Sequence, residues 1–203
     1  MDKCIHMPLP ITHPPVPRSP LPLPSPTTEN SMSNDYLAWF DGGCQPVNPG
    51  GTAAYGVVIK EQDGTILVWE HGLVGKGSGM SNNLAEYAGV LHILKYLSTR
   101  PPGRVTIYGD SNLVINQLNG KWRIRKGVYL PIAIETKALL ADLHGLGWQI
   151  SLLWIPREQN EECDALSKKG CRVRDRSRSK KARGHHPYAR DALMIGRTIK
   201  TTG

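Results

Sequence analysis

Three strand-like segments follow one another early in the patterned part of this chain, and they restrict its fold more than any other feature. Residues 36–40 and 65–74 are mostly apolar, and residues 53–59 are rich in small and β-branched side chains. Turn-forming residues separate these segments, with Asn-Pro-Gly-Gly at 48–51 and Gln-Asp-Gly at 62–64. Three strands joined by short connections predict an antiparallel meander.

The following residues alternate helices with single strands. Ser81, Asn82 and Asn83 provide capping side chains for a helix that runs to about residue 98. The later segments are a strand at 104–108, a short helix at 111–118, a helix at 131–144, a strand at 149–155 and a last helix that Asn160 caps. This order predicts an α/β fold with a mixed sheet, in which the first, fourth and fifth strands are parallel and helices cover both faces.

Segments of biased composition flank this region. Nine of the 16 prolines lie between residues 8 and 26, so we predict that residues 1–34 form a disordered leader. It is either a ligand for a proline-binding module or a passive spacer. Residues 35–170 are predicted to form one catalytic domain, and residues 171–203 a basic tail that is largely disordered.

The tail carries the excess positive charge. Residues 168–203 hold 12 of the 25 basic and 2 of the 17 acidic residues, which leaves 13 basic and 15 acidic residues in the rest of the chain. Such a tail favours polyanions such as nucleic acid, with a charge run kept for solubility as the alternative. Residues 192–199 are more apolar and could dock on the domain.

The composition argues against several classes of protein. No stretch reaches the roughly 20 apolar residues of a membrane span, and prolines interrupt the region where a secretory signal would lie, so we expect a soluble, cytoplasmic protein. The cysteines lack the spacing of a zinc site or a disulfide framework: Cys4, Cys44, Cys163 and Cys171. A zinc site of Cys163 and Cys171 with His185 or His186 remains an alternative.

Two aspartates end predicted parallel strands. Asp41 follows the first strand and Asp110 follows the fourth, and ligand sites in such sheets gather at the carboxyl ends of parallel strands. Each has an ordinary alternative, because Asp-Gly at 41–42 is typical of a turn and Asp110 precedes a helix that it could cap.

Two further carboxylates lie on helices. Glu86 is expected in the first turn of its helix and shares a stripe with Val90, Ile93 and Leu97 that should face the sheet. A charge favoured by the helix dipole is the alternative for Glu86. Asp164 lies on the last helix and indicates little by itself.

These carboxylates point to a metal site only when they are taken together. Converging acids repel one another unless cations lie between them, and Mg²⁺ or Mn²⁺ prefers oxygen ligands. Two such ions roughly 4 Å apart suit phosphodiester hydrolysis without a covalent nucleophile. The sequence offers no competing site, since it lacks a GxxxxGK phosphate loop, a GxSxG elbow and an HExxH helix.

At this point the sequence resembles the type 1 ribonucleases H, and within them the archaeal-type branch. The resemblance covers about residues 35–170 and rests on four blocks in order: FDGGCQPVNPGG, SNNLAEY, YGDSNLVINQLNG and WIPREQNEECDALS. It implies a ribonuclease H-like sheet with strand order 3-2-1-4-5. The implied activity is hydrolysis of the RNA strand of RNA/DNA hybrids with two Mg²⁺ or Mn²⁺ ions, leaving 5′-phosphate and 3′-hydroxyl ends.

The resemblance also implies roles for individual residues. Asp41, Glu86, Asp110 and Asp164 would be the catalytic metal ligands, with Asp41 bridging both ions. The implied substrate-binding residues are Cys44, Asn48, Ser81, Asn82, Asn83, Asn112, Lys121, Trp122 and Arg157. Glu86 or the backbone near Cys44 would sense the 2′-hydroxyls that distinguish RNA from DNA.

The chain departs from the family pattern in two places. Many members carry a histidine in a loop before the last aspartate, whereas this chain has the short segment 155–160, in which Arg157 should meet phosphate or a carboxylate. A structural ion pair is the alternative for Arg157. The basic protrusion of some members is reduced to residues 121–126, where Trp122 either grips the DNA strand or packs into the core.

Two other functions remain open. The fold could serve as an inactive hybrid-binding module, although a binding protein gains nothing from four acids that repel one another. It could also be a related nuclease of the same superfamily, and cleavage of double-stranded RNA is a possible secondary activity. We expect a monomer whose partner is the RNA/DNA hybrid, with no membrane contact.

Overall fold

The structure is a computed structural model that describes residues 34–172. Within these residues the strands and helices are β1 Asp35–Gln45, β2 Thr52–Glu61, β3 Ile66–Lys76, α1 Asn82–Leu97, β4 Arg104–Gly109, α2 Asn112–Leu118, α3 Leu130–Gly145, β5 Gln149–Trp154 and α4 Glu161–Arg172. A short 3₁₀ helix, Arg157–Gln159, connects β5 to α4. The predicted leader, and the predicted tail beyond residue 172, lie outside the described residues.

The strands form one mixed sheet in the order β3-β2-β1-β4-β5, which confirms the predicted topology. β1, β2 and β3 pair antiparallel, as expected for strands joined by short turns. β4 lies parallel to β1, and β5 lies parallel to β4. The two parallel pairs place the carboxyl ends of β1, β4 and β5 at one edge of the sheet.

Helices cover the two faces of the sheet. The larger core joins α1 and α3 to the face of β1 that presents Ala38 and Phe40, and the stripe of Val90, Ile93 and Leu97 is fully buried in it. On the opposite face α4 packs against β2 and β1 through a smaller cluster of Val58, Cys163 and Leu166. The two clusters follow from the alternation of side chains along β1 and β2.

A glycine allows α4 to lie close to the sheet. A Cβ atom at Gly56 of β2 would lie 2.4 Å from the carbonyl oxygen of Cys163, so only glycine leaves room for the helix backbone there. α4 continues to Arg172, and the thiol of Cys171 donates a hydrogen bond to the carbonyl of Thr52 at 3.2 Å. The helix therefore extends past the predicted end of the domain at residue 170.

One predicted detail of β1 is wrong. Asp41 does not end β1, because the strand continues to Gln45 through pairing with β2. Its ladder with β4 does stop at the pair Phe40–Gly109, so Asp41 is the first residue beyond the parallel pairing.

No helix among residues 34–172 has the length and apolar character needed to cross a membrane.

Candidate metal centre

Asp41 and Asp110 lie side by side where the β1–β4 ladder ends. Asp110 follows β4 directly, as predicted, and Asp41 follows the last β1–β4 pair. Asp41 is 4% exposed and faces α4, where the hydroxyl of Ser167 donates a hydrogen bond to its Oδ2 atom. Asp41 is thus held within β1 rather than in a turn, and Asp110 directly follows the end of β4.

Glu86 reaches the same point from α1. Ser81 caps this helix, its Oγ atom accepting a hydrogen bond from the backbone N–H of Leu84 at 3.3 Å. Glu86 therefore lies in the second turn, so its predicted first-turn position is wrong and the helix-dipole alternative loses its basis. Gly42 allows the close approach, because a Cβ atom there would lie 2.2 Å from the backbone nitrogen of Glu86.

The three carboxylates form one group. One oxygen from each of Asp41, Glu86 and Asp110 lies within 4.8 Å of the others. Burial, with the charges of Asp110 and Asp164 adding to it, raises the pKa of Asp41 to about 7. Burial together with the charges of Asp41 and Asp110 raises the pKa of Glu86 well above its usual value. If all three carboxylates were ionised, the group would therefore carry more negative charge than the described residues compensate.

This group fits a divalent cation. The Oε2 atom of Glu86 is buried and has no hydrogen-bond partner among residues 34–172, which is costly for a carboxylate unless another group satisfies it. The donor set consists only of oxygen atoms, which suits Mg²⁺ or Mn²⁺ better than a softer metal. Asp41, Glu86 and Asp110 are therefore the residues that would hold such an ion.

Asp164 lies outside this group and is paired with two basic side chains. Its Oδ1 atom pairs with the guanidinium of Arg157, and its Oδ2 atom with the ammonium of Lys168 at 2.5 Å. Burial alone would raise the pKa of Asp164, but the hydrogen bonds from Lys168 and Arg157 outweigh it and lower this pKa. Arg157 thus meets a neighbouring carboxylate, one of the two contacts expected for it.

Asn160 belongs to the site although the sequence suggested only a helix cap. Its Nδ2 atom donates to the carbonyl of Phe40 at 2.8 Å and to Oδ1 of Asp110 at 3.0 Å. Asn160 directly precedes α4, as predicted for its cap, and its carbonyl accepts a hydrogen bond from the backbone N–H of Asp164 at 3.0 Å. Its side chain is 2% exposed, and its Oδ1 atom has no partner among the described residues, so the side chain itself makes no capping hydrogen bond. Asn160 instead ties Asp110 to the last β1 residue of the parallel ladder.

Part of the predicted substrate-binding set lies around the start of α1. Oδ1 of Asn48 accepts a hydrogen bond from the backbone N–H of Asn82 at 2.9 Å, which ties the β1–β2 loop to this helix. Ser81 is the helix cap, Asn83 is half-buried, and Cys44 is buried with its thiol donating to the carbonyl of Val47. The side chain of Cys44 is therefore buried and engaged within the β1–β2 connection.

The remaining predicted residues lie beyond Asp110. Asn112 and Lys121 are exposed and line one pocket with the end of β5. Trp122 is 49% exposed, so the alternative in which it packs into the core is wrong, and Ile124 packs against the core instead. The structure thus separates the predicted contacts into groups on either side of the carboxylates.

The zinc alternative gains no support from the described residues. Cys163 is buried between α4 and the sheet, Cys171 is half-buried, and both are free thiols. His185 and His186 lie outside the described residues. Among residues 34–172, the carboxylates of Asp41, Glu86 and Asp110 are the one group of three or more side chains that could hold a metal ion.

Sequence comparison finds one matching family model and several curated relatives, among them ribonucleases H. A family model described as reverse transcriptase-like matches residues 39–170. Ribonuclease H of Roseobacter denitrificans is 33% identical over 67% of this chain and 95% of its own length. Ribonuclease HI of Halobacterium salinarum is 32% identical over 64% of this chain and 61% of its own length. A bifunctional protein of Mycobacterium tuberculosis is 29% identical over 63% of this chain, which spans only 33% of that protein.

Solved structures show the same similarity. The N-terminal RNase H domain of the Mycobacterium tuberculosis protein superposes with a TM-score of 0.59 at 28% identity, covering 68% of this chain and 93% of that one. RNase H1 from Halobacterium salinarum gives a TM-score of 0.56 at 28% identity, covering 67% and 96%. LC11-RNase H1, solved in complex with an RNA/DNA hybrid, gives 0.56 at 25% identity, with the same coverage.

Proposed function

We propose, from the premise that this chain belongs to the reverse transcriptase-like family and within it to the ribonucleases H, that it is an endonuclease for the RNA strand of RNA/DNA hybrids. The chain spans about a third of the first curated relatives it matches, so the proposal concerns the domain described above. A relative from the same family was solved with an RNA/DNA hybrid, which supports this choice of substrate.

The group of Asp41, Glu86 and Asp110 carries this proposal. Three acids from a strand, a helix and a strand end meet within 4.8 Å, and two of them are almost fully buried. A binding module has no use for such a group, because burying acids without compensation lowers stability by several kcal/mol. The arrangement is explained if divalent cations compensate the charge and act in hydrolysis.

We assign the metal ligands by position. Asp41, Glu86 and Asp110 would hold one ion, and Asp41 with Asp164 would hold a second after Asp164 leaves its cation partners. When bound, Mg²⁺ or Mn²⁺ ions lower the pKa of water and stabilise the leaving oxygen of a phosphodiester. The protein's own residues position these ligands: Ser167 holds Asp41, and Asn160 holds Asp110.

Recognition of the substrate would use both sides of the carboxylates. Ser81, Asn82 and Asn83 at the start of α1, with the backbone near Cys44, would contact the strand whose 2′-hydroxyls identify RNA. Lys121 and Trp122 would contact the partner strand through phosphate and stacking. Arg157, 64% exposed at its side chain, would exchange Asp164 for a substrate phosphate.

We further propose that residues 35–170, together with the last residues of α4, form a monomeric domain that acts in the cytoplasm. The basic residues after 172 add affinity for nucleic acid through phosphate contacts.

One cleavage assay tests the proposed function. A single end-labelled RNA is presented as a single strand, an RNA/DNA hybrid and an RNA duplex, with Mg²⁺, Mn²⁺ or chelator. We expect metal-dependent internal cuts in the hybrid that leave 3′-hydroxyl ends, and none with chelator. Binding of the hybrid without cleavage under every metal would contradict the proposal and support the inactive module. Cutting of the duplex would establish the secondary activity.

A further inference from the structure

The edge strand β3 is open along its outer side. It pairs only with β2 among residues 34–172, so its outer backbone groups have no strand partner there. It is 11 residues long, whereas β5 at the opposite edge has 6. Proteins usually shorten such apolar edges, interrupt them with proline or charge, or cover them, because open edges pair with other strands. β3 contains no proline, and Glu70 and Lys76 are its only acidic and basic residues apart from a histidine.

Apolar side chains make this edge more adhesive. Trp69 is 51% exposed, and Leu73 is 39% exposed. Trp69 lies opposite Val58 of β2, which belongs to the cluster packed against α4, so Trp69 is on the face of the sheet that carries α4. Leu73 follows on the same face four residues later, because side chains alternate along a strand. An exposed apolar strip therefore runs along the edge beside α4.

α4 ends next to this strip. Nζ of Lys169 lies 5.7 Å from the ring centroid of Trp69. A Cβ atom at Gly170 would lie 3.5 Å from the Cβ atom of His71, the β3 residue between Trp69 and Leu73 on this face. The helix ends two residues later, at Arg172. The chain therefore leaves the described domain beside β3.

Residues 192–199, with the sequence ALMIGRTI, are the apolar part of the chain beyond α4. In an extended conformation Leu193, Ile195 and Ile199 would share one face. Residues 173–191 connect α4 to this segment, and a chain of that length can span roughly 60 Å, more than the roughly 35 Å of β3. A linked segment meets its site at an effective concentration on the order of millimolar, so weak docking is sufficient.

We propose that residues 192–199 pair with the outer side of β3 as a sixth strand, with their apolar face over Trp69 and Leu73. Main-chain hydrogen bonds hold such an added strand, and its alternate side chains give specificity. The occupant is this segment rather than a second copy, because the chain leaves the domain beside the edge and the segment carries the apolar residues that match it. The proposal goes beyond the proposed function and does not depend on it.

Oxidative footprinting of the full chain tests whether Trp69 is covered. Trp154 is the matched reference, since it is 52% exposed on β5 at the opposite edge, where the proposed strand does not reach. We expect hydroxyl radicals to modify Trp69 about tenfold more slowly than Trp154, as for a segment docked about nine-tenths of the time. Mass spectrometry measures both rates, and equal rates would overturn the proposal.

A paired proline substitution tests whether the segment forms a ladder with β3. Neighbouring residues of a strand direct their N–H groups to opposite sides, so Met194→Pro combined with Ile195→Pro removes a donor that β3 requires. We expect Trp69 to be modified about tenfold faster in this variant, Trp154 at an unchanged rate, and the β3 amides to exchange hydrogen faster. Thr201→Pro combined with Thr202→Pro is the control, because it places two prolines just beyond the segment. Thermal melts check that both variants fold.

Two further outcomes would assign the edge to another occupant. Protection of Trp69 that disappears when the wild type is diluted would mean that a second copy covers β3. Protection that persists in the variant with prolines at 194 and 195 would mean that residues 192–199 do not cover it. Either result would overturn the proposal and leave the proposed function unaffected, because neither readout involves hybrid or metal.

Discussion

The buried carboxylates of Asp41 and Glu86 differ from the carboxylate of Asp164 in whether basic side chains compensate their negative charge. Asp41 and Glu86 are almost fully buried with raised pKa values, and the described residues give their group no direct cation partner. Asp164 is more exposed and is neutralised by Arg157 and Lys168. The described residues thus leave one half of the site, Asp41, Glu86 and Asp110, without a balancing cation, whereas Arg157 and Lys168 balance the charge of the other half, Asp164.

The largest difference between the half of the site with Asp41 and the half with Asp164 should appear in kcat for hybrid cleavage. Asp41→Asn keeps the shape of the side chain but removes a charge that both ions would share, so we expect kcat for hybrid cleavage to fall at least about a thousandfold, or about 4 kcal/mol. Asp164→Asn should cost less and respond to higher metal concentration. Kinetics of both variants across a Mn²⁺ series check this, and equal losses that no metal concentration restores would remove the distinction.

The next effect concerns the residue that positions Asp110. Asn160→Asp replaces a donor by a second carboxylate against Asp110, so we expect kcat to fall tens of fold and the half-saturating metal concentration to change, while KM for the hybrid stays similar. Gln117→Leu is the control, because Gln117 is also a buried amide but is bonded to Tyr87, away from the carboxylates. A control variant with the same altered metal dependence would mean that Asn160 is merely structural.

The pH dependence of stability distinguishes the halves without any substrate. The raised pKa of Asp41 means that its neutral form is favoured in the metal-free fold, so its contribution is fully present below about pH 4 and is lost as pH rises through about 7. The loss amounts to up to about 4 kcal/mol by pH 8. Asp164 behaves oppositely because its pKa is lowered. Its contribution to stability is present above the usual pKa of an aspartate and is lost as pH falls through the lowered pKa.

Denaturant unfolding of the metal-free protein, with chelator present, measures this pH dependence of stability at pH 5 and pH 8. We expect the wild type to be less stable at pH 8 than at pH 5, and Asp41→Asn to show a smaller difference, of which the raised pKa of Glu86 accounts for the remainder. Added Mn²⁺ should restore wild-type stability at pH 8. A metal-free wild type that is equally stable at both pH values would contradict the uncompensated charge.

The smallest effect concerns Lys168. Lys168→Met removes one cation that competes with metal for Asp164, so we expect the half-saturating metal concentration to fall about threefold, in line with the roughly 0.2 to 1 kcal/mol of an exposed ion pair. Lys169→Met is the matched control, since Lys169 lies over the ring of Trp69 instead. A metal requirement that rises in Lys168→Met would show that Lys168 assists the metal rather than competing with it.

Much of the fold could be predicted because its signals are local. Strand runs, turn residues and the apolar stripe of α1 predicted the elements, the antiparallel meander and the parallel strands, and the stripe placed Glu86 against the sheet. The full strand order was implied by the resemblance to ribonucleases H. The continuation of β1 past Asp41 could not be predicted, because it depends on pairing with β2, and the Asp-Gly-Gly sequence suggests a turn.

The supporting contacts of the site were harder to predict for the same reason. Asn160 bonds to Phe40, and Ser167 bonds to Asp41, across more than a hundred residues of sequence, and no local pattern marks such partners. Lys168 is an exception, because its spacing of four from Asp164 on one helix is a visible signal for an ion pair.

Calorimetric titration of Mn²⁺ into metal-free protein is the most direct test of the division of the site. It is carried out on the wild type, Asp41→Asn and Asp164→Asn. We predict a tight binding event in the wild type that survives in Asp164→Asn and disappears in Asp41→Asn, because the buried carboxylates hold the first ion. Loss of this event in Asp164→Asn with its retention in Asp41→Asn would contradict the assignment.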